Sequence, residues 1–271
     1  IETNVAFGGY AEGDTISNFE NLRGSAAADS LTGNLGGNYI DAGDGDDNVD
    51  GGAGNDTILG GLGNDNLKGG DGNDNISGGA GNDRLTGGLG ADVLNGGDGS
   101  DTADYRKALS GVVASLLSGK GTGGEAAGDT FISIENLQGS AFDDTLTGDN
   151  NTNRINGMSG ADKIYGMGGN DWIITGGGYD TIDGGDGIDT LFFNHSSMTG
   201  ANVINLTAMG TNSGVTFADG STVRNVERMI MVLGSGADTV TLDGELTIAV
   251  GPIGPNTIDG GAGVDRITAD F

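Results

Sequence analysis

The chain has no cysteine, two prolines and one histidine in 271 residues. The missing cysteines exclude a disulfide framework and thiolate metal sites. Aromatic residues make up only 5 %, and 11 basic residues stand against 39 acids, a net charge of −28. So few cations argue against nucleic-acid backbones and anionic lipid as partners, because both are held by positive charge. No apolar run reaches the length of about 18 residues that a membrane-spanning helix needs, so no membrane insertion is expected. The opening residues, IETNVAFGGYAEGD, have neither the basic start nor the apolar core of a secretory signal peptide. Gly-x-Ser-x-Gly, His-Glu-x-x-His and phosphate-loop motifs are all missing, so the chain reads as a non-enzyme. His195, in FFNHSSM, reads as a loop or packing residue rather than a catalytic or zinc-binding one.

A chain this acidic and this poor in large apolar residues should repel itself apart unless something cationic neutralises it. What it has instead is glycine, 58 residues, about three times the usual share. The glycines are periodic. From Gly24 to Asp104 a nine-residue frame runs unbroken, and from Gly51 six consecutive copies match Gly-Gly-x-Gly-x-Asp at every fixed place. Position six is Asp29, Asn38, Asp47, Asp56, Asp65, Asp74, Asp83, Asp92 and Asp101; position eight is almost always Ile, Leu or Val. A looser array runs from Gly139 to Phe192, with Asp144, Asn153, Asp162, Asp171, Asp180 and Asp189 at position six and Met158 and Met167 in place of the second glycine. A short third array is marked by Asp238 and Asp265.

A longer repeat overlies the short one. GDTISNFENLRGSAAADSLTG, from Gly13, aligns without a gap with GDTFISIENLQGSAFDDTLTG, from Gly128, and GSTVRNVERM, from Gly220, is a weaker third copy. Before the second and third copies lie SGVVASLLSGKG and GANVINLTAMG, which read as strands, with Val112 to Leu117 open to a short helix as well. The first copy lacks most of this lead-in, so the sequence is expected to begin inside a module of a longer protein. The organisation expected is a partial lead-in over 1–23, a first array over 24–104, a connecting strand segment over 105–138, a second array over 139–192, another connecting segment over 193–233 and a short repeat region over 234–271.

Side chains alternate along a strand. If Asp-x-U-x is a strand, positions six and eight share the inward face, while seven and nine, mostly polar, face solvent. By that rule Trp172, at position seven, faces outward. An ionised carboxylate on the inward face is costly unless it is paired or binds a metal, and the frame contains no matching base. Two turns and two strands make one circuit of 18 residues, so a turn lies beside the turn 18 residues away, about 4.8 Å off. The gaps are then lined by turn carbonyls and by pairs such as Asp47 with Asp65, Asp56 with Asp74, and Asp171 with Asp189. Oxygen ligands in this number suit Ca²⁺ better than the smaller, octahedral Mg²⁺. About eight pairs would bring about +16 of charge, enough to let an otherwise disordered chain fold. The neutral Asn38 and Asn153 are expected to leave the ends of the arrays weak. The asparagines of the GND triplets read as turn formers.

At these residues the chain resembles the repeats-in-toxin (RTX), haemolysin-type family, whose Gly-Gly-x-Gly-x-Asp-x-U-x nonapeptide binds calcium. The resemblance implies an all-β fold, a calcium-loaded parallel β-roll (a right-handed β-solenoid) in two to three stacked arrays. It also implies the ligands: carbonyls of the second and fourth glycines with the aspartate. Carried over, these are Gly43, Gly45 and Asp47; Gly52, Gly54 and Asp56; Gly61, Gly63 and Asp65; Gly70, Gly72 and Asp74; Gly79, Gly81 and Asp83; Gly88, Gly90 and Asp92; Gly97, Gly99 and Asp101. In the later arrays they are Asp144, Asp162, Asp171, Asp180, then Gly185, Gly187 and Asp189, then Asp238, and finally Gly261, Gly263 and Asp265. The resemblance further implies type I secretion and folding outside the cell, where calcium is abundant. The expected role is an extracellular structural protein of a surface layer, matrix or adhesin. Its expected partners are calcium ions, further copies of itself in a lattice or filament, and a cell-surface glycan. The alternative is the C-terminal secretion and folding module of a larger enzyme such as a protease, lipase or epimerase.

Overall fold

The computed structural model describes residues 20–194, 214–217 and 220–232, with short strands at 4–5, 15–16, 203–205, 239–242, 257–259 and 266–269. The chain divides into two compact units, Ile1–Gln138 and Gly139–Phe271. The described secondary structure is all-β apart from one 3-10 turn, Gly124–Ala126.

In the first unit two parallel sheets face each other, and the chain crosses from one to the other every nine residues. One sheet stacks Asn21–Arg23, Tyr39–Asp44, Thr57–Leu62, Asn75–Ala80 and Val93–Asp98, each strand paired in register with the equivalent strand of the next circuit. The other stacks Ser30–Thr32, Asn48–Ala53, Asn66–Asp71, Arg84–Leu89 and Thr102–Asp104 in the same way. The second unit repeats the plan. Thr145–Thr147, Lys163–Gly168 and Thr181–Asp186 form one stack, and Arg154–Asn156, Trp172–Thr175 and Thr190–Asn194 the other.

The core is two ladders of single aliphatic side chains. Ile40, Ile58, Ile76 and Leu94 stack on one sheet, and Val49, Leu67 and Leu85 on the other, all buried. Each such side chain contributes about 1.5–3 kcal/mol on burial. With only two per circuit, the core is thin for the amount of chain it must order. The expected alternation holds with one exception: position six and position eight are buried, and position seven, including Trp172 at 41 % exposure, turns outward except at Thr190, which is buried.

Strand placement differs from the sequence reading. The strands begin after the aspartate and continue through the first two glycines, as in Thr57–Leu62, and Gly54–Asn55 forms the bend. Glycine normally weakens a strand. Here the second and fourth glycines take positive φ, from 103° to 150° along the first array, so the chain can corner without a Cβ penalty. Met158 and Met167 hold the same backbone with φ of 72° and 82°, which strains a side-chain-bearing residue. Met167→Gly should relieve about 1–2 kcal/mol of that strain and lose part of it to the freer unfolded chain. The expected net gain is roughly 0.5–1 kcal/mol, read as a higher urea midpoint in calcium at unchanged slope.

The connecting segment over 105–138 is folded. Thr130–Ile132 and Asn136–Gln138 add one parallel strand to each stack, and Val113–Ser115 and Lys120–Gly123 pair antiparallel. Val113–Ser115 is therefore a strand and not a helix. Tyr105 and Phe131 meet edge to face at 6.4 Å, closing the end of the hydrophobic ladder. Val203–Asn205 is a strand, as read from its lead-in.

Candidate metal centre

Among the described residues every position-six side chain of the arrays is buried, at 8 % exposure or less, and each is tied to its neighbour one circuit away. The N–H of one position-six residue donates to the Oδ1 of the equivalent aspartate one circuit on: Asp47 to Asp65, Asp56 to Asp74, Asp65 to Asp83, Asp74 to Asp92 and Asp83 to Asp101, all at 2.8–2.9 Å. In the second unit the same bond joins Asp144 to Asp162, Asp162 to Asp180 and Asp171 to Asp189. The pairs read from the two-repeat period are thus brought together.

The second oxygen has no such role. Oδ2 of Asp47, Asp56, Asp65, Asp74, Asp83, Asp92, Asp101, Asp162, Asp171 and Asp189 is fully buried and makes no hydrogen bond within the protein. Leaving one buried anionic oxygen unsatisfied is costly; ten of them, on both edges of the first unit and again in the second, ask for a cation. The carboxyls register that cost. Burial is the first cause in each case and pushes Asp65, Asp74, Asp101 and Asp189 up to about 6, and Asp92, Asp162 and Asp171 up to about 7. The donated backbone N–H opposes the rise, and neighbouring carboxylates add to it.

The second and fourth glycines pack closely against the carbonyl oxygens of the preceding circuit. A Cβ on Gly61, Gly70, Gly79, Gly88 or Gly97 would overlap the carbonyl oxygen of the second glycine one circuit earlier, and one on Gly63, Gly72, Gly81, Gly90 or Gly99 would overlap that of the fourth. Gly43, Gly45, Gly52 and Gly54 approach the backbone of the first circuit, and Gly185 and Gly187 that of Met167 and Gly169, in the same way. Among the described residues no three His, Cys, Asp or Glu side chains gather as a metal cluster. Each gap offers two carboxylates with backbone carbonyls close by, oxygen donors of the kind that suit Ca²⁺.

Several predicted residues stand apart. Asp144 spends both oxygens on Ser140, accepting from its N–H at 2.6 Å and its hydroxyl at 2.8 Å. Asp29 is closed by Ser25, Asn38 accepts from the Asn34 N–H and Asn153 from the Asp149 N–H. The first two turns of each of the first two arrays are therefore held by their own side chains, where no second glycine is present. Asp180 follows Thr175 where other repeats have their first glycine. His195, Asp238, Gly261, Gly263 and Asp265 lie outside the described residues.

Three sets of residues escaped the sequence reading. The first glycine of the repeat has ordinary φ but is buried against its own aspartate; a Cβ on Gly60 would overlap Asp65 Oδ2. Its signal was persistence, since Gly139, Gly148, Gly157 and Gly166 remain where the second glycine is lost. The asparagine at position five does more than shape the turn: Oδ1 of Asn55, Asn64, Asn73 and Asn82 accepts the N–H of the equivalent residue one circuit on, at 2.8–2.9 Å. Third, the last aspartates donate their N–H to residues beyond the frame: Asp92 to Asp129, Asp101 to Glu135, Asp180 to Ser221 and Asp189 to Glu227.

A sequence profile of the RTX calcium-binding nonapeptide repeat matches residues 17–49, 32–67, 68–103, 131–164, 156–191 and 251–271, more than half of the chain. The chain belongs to that family. No curated protein matches it. RTX membership points to calcium, and the unsatisfied Oδ2 atoms are where its positive charge is missing. Among the described residues no helix is long and apolar enough to cross a membrane.

Proposed function

We propose that this RTX chain is an extracellular structural protein, exported by type I secretion, in which calcium ions between turns of successive circuits hold each roll folded. The ligands are the position-six aspartates through Oδ2 and the carbonyls of the second and fourth glycines, as in the set Gly52, Gly54 and Asp56. The observation that carries this reading is the column of buried, unsatisfied Oδ2 atoms, repeated in both units. Calcium supplies the positive charge that the frame lacks. Before export, where calcium is scarce, the same carboxylates would keep the chain unfolded.

Thirteen of the 24 acids in the two arrays stand at position six and are committed to this frame, which favours a material role in a surface layer, matrix or adhesin over catalysis. Sedimentation velocity of the folded protein with calcium is the test. Reversible, calcium-dependent growth beyond the monomer is expected. A strict monomer at high concentration would count against assembly and favour the folding module of a larger enzyme.

A further inference from the structure

We infer that each array ends in one more calcium site, built by a glutamate from outside the nonapeptide frame: Glu135 with Asp101 in the first unit and Glu227 with Asp189 in the second. The inference rests on the calcium reading above and extends its ligand set.

Glu135 takes the place of the next aspartate. Asp101 donates its N–H to Glu135 Oε2 at 2.8 Å, the length found within the array, and Thr102 pairs with Asn136 as it would with the residue after a repeat aspartate. Asp189 does the same with Glu227 Oε2 at 2.8 Å, and Thr190 pairs with Arg228. The onward carbonyl is replaced too. In a regular circuit, the first glycine faces the Oδ2 of its own aspartate and the carbonyl of the first glycine one circuit on, as Gly78 faces Asp83 Oδ2 and the Gly96 carbonyl. At the exit, Gly96 faces Asp101 Oδ2 and the Ser133 carbonyl, and Gly184 faces Asp189 Oδ2 and the Asn225 carbonyl. Ser133 and Asn225 both hold positive φ, 46° and 51°, which lets a shorter turn replace that of the regular repeat. Asp101 and Asp189 are completely buried, and their Oδ2 atoms, turned toward this gap, have no partner in the protein.

The opposite edge of each unit ends differently. Asp129 accepts the Asp92 N–H, but its second oxygen accepts the Tyr105 hydroxyl at 2.7 Å, and Asp180 donates to the neutral Ser221 hydroxyl. The Asp92 exit also has a carboxylate pair beside an unsatisfied oxygen, Asp92 Oδ2, but there Asp129 has committed both of its own oxygens. Both exits are built by the same place of the long repeat, Ser-Ile-Glu in one and Asn-Val-Glu in the other, so the arrangement recurs in both units.

Bound calcium per folded chain decides the matter, measured by equilibrium dialysis on the full chain, the Glu135→Gln and Glu227→Gln variants and the double variant. Glutamine keeps an acceptor for the aspartate N–H and removes the charge. Each single change should cost one ion and the double change two. Glu125→Gln should cost none, because Glu125 is tied only to the Leu109 N–H. A double variant that folds and holds the parental number of ions overturns the proposal while leaving the array sites standing; a parent chain that holds no calcium overturns the reading beneath it. Should a variant not fold, anomalous diffraction from calcium-grown crystals of the parent chain decides. An ion about 2.3–2.6 Å from the Glu135 or Glu227 carboxylate supports the site, and its absence at both overturns it.

Discussion

The Asp74→Ala chain is expected to hold two fewer calcium ions than its parent and to need on the order of tenfold more calcium to fold. Asp74 serves two gaps. Its Oδ1 accepts the Asp56 N–H, its own N–H donates to Asp92 Oδ1, and its Oδ2 is buried without a partner. Alanine removes a carboxylate from both gaps and leaves the buried Asp56 N–H without an acceptor, which by itself costs about 1–3 kcal/mol. Asp74→Asn separates the two losses. It keeps an acceptor for the N–H, as Asn153 shows an amide can sit at this position, but it removes the charge. Its folding should be less impaired than that of the alanine variant, with the same ions lost. Asp71 is exposed on the outer turn, so Asp71→Asn should leave both readouts unchanged. Equilibrium dialysis with a calcium titration of circular dichroism reads both quantities. Parental stoichiometry in Asp74→Ala would remove the aspartate column from the ligand set.

Acid should do part of calcium's work. Burial raises the folded-state pKa of Asp65 and Asp74 to about 6 and of Asp92, Asp162 and Asp171 to about 7, against an ordinary aspartate near 3.8. Between about pH 4 and 7 the calcium-free fold therefore binds more protons than the unfolded chain, and its stability rises as pH falls through that window and is lost as pH climbs. In EDTA, β-structure should be greater at pH 5 than at pH 7.5. With calcium present the direction reverses, because protons compete for the carboxylates that bind the ion. The calcium midpoint should rise by on the order of tenfold or more between pH 7.5 and pH 5.5. A midpoint that does not move with pH would mean that these carboxyls are not the ligands.

The parts of the fold that were legible in the sequence are those that recur at a fixed interval. An aspartate and an aliphatic residue two places apart every nine residues specify one inward face, and the partners in the next circuit follow from its length. The strand limits were not legible, because glycine alone does not distinguish a turn from a strand that must pass close to a carboxylate, as Gly60 does at Asp65. The roles of Glu135 and Glu227 were hidden for another reason. They stand 34 and 38 residues from their aspartates, well beyond one circuit, so no local spacing marks them. Their only trace was the long repeat, in which Glu20, Glu135 and Glu227 align. Asn55 and its equivalents were read as turn formers because a hydrogen bond to the next circuit exists only once the circuits stack.

The central claim is that calcium, and not the thin aliphatic core, decides whether this chain folds. Far-UV circular dichroism at pH 7.5, followed from EDTA to about millimolar calcium, tests it most directly. A largely disordered spectrum in EDTA that converts cooperatively to β-structure as calcium is added, and reverts on chelation, is the predicted result. A chain equally folded in EDTA would contradict the account.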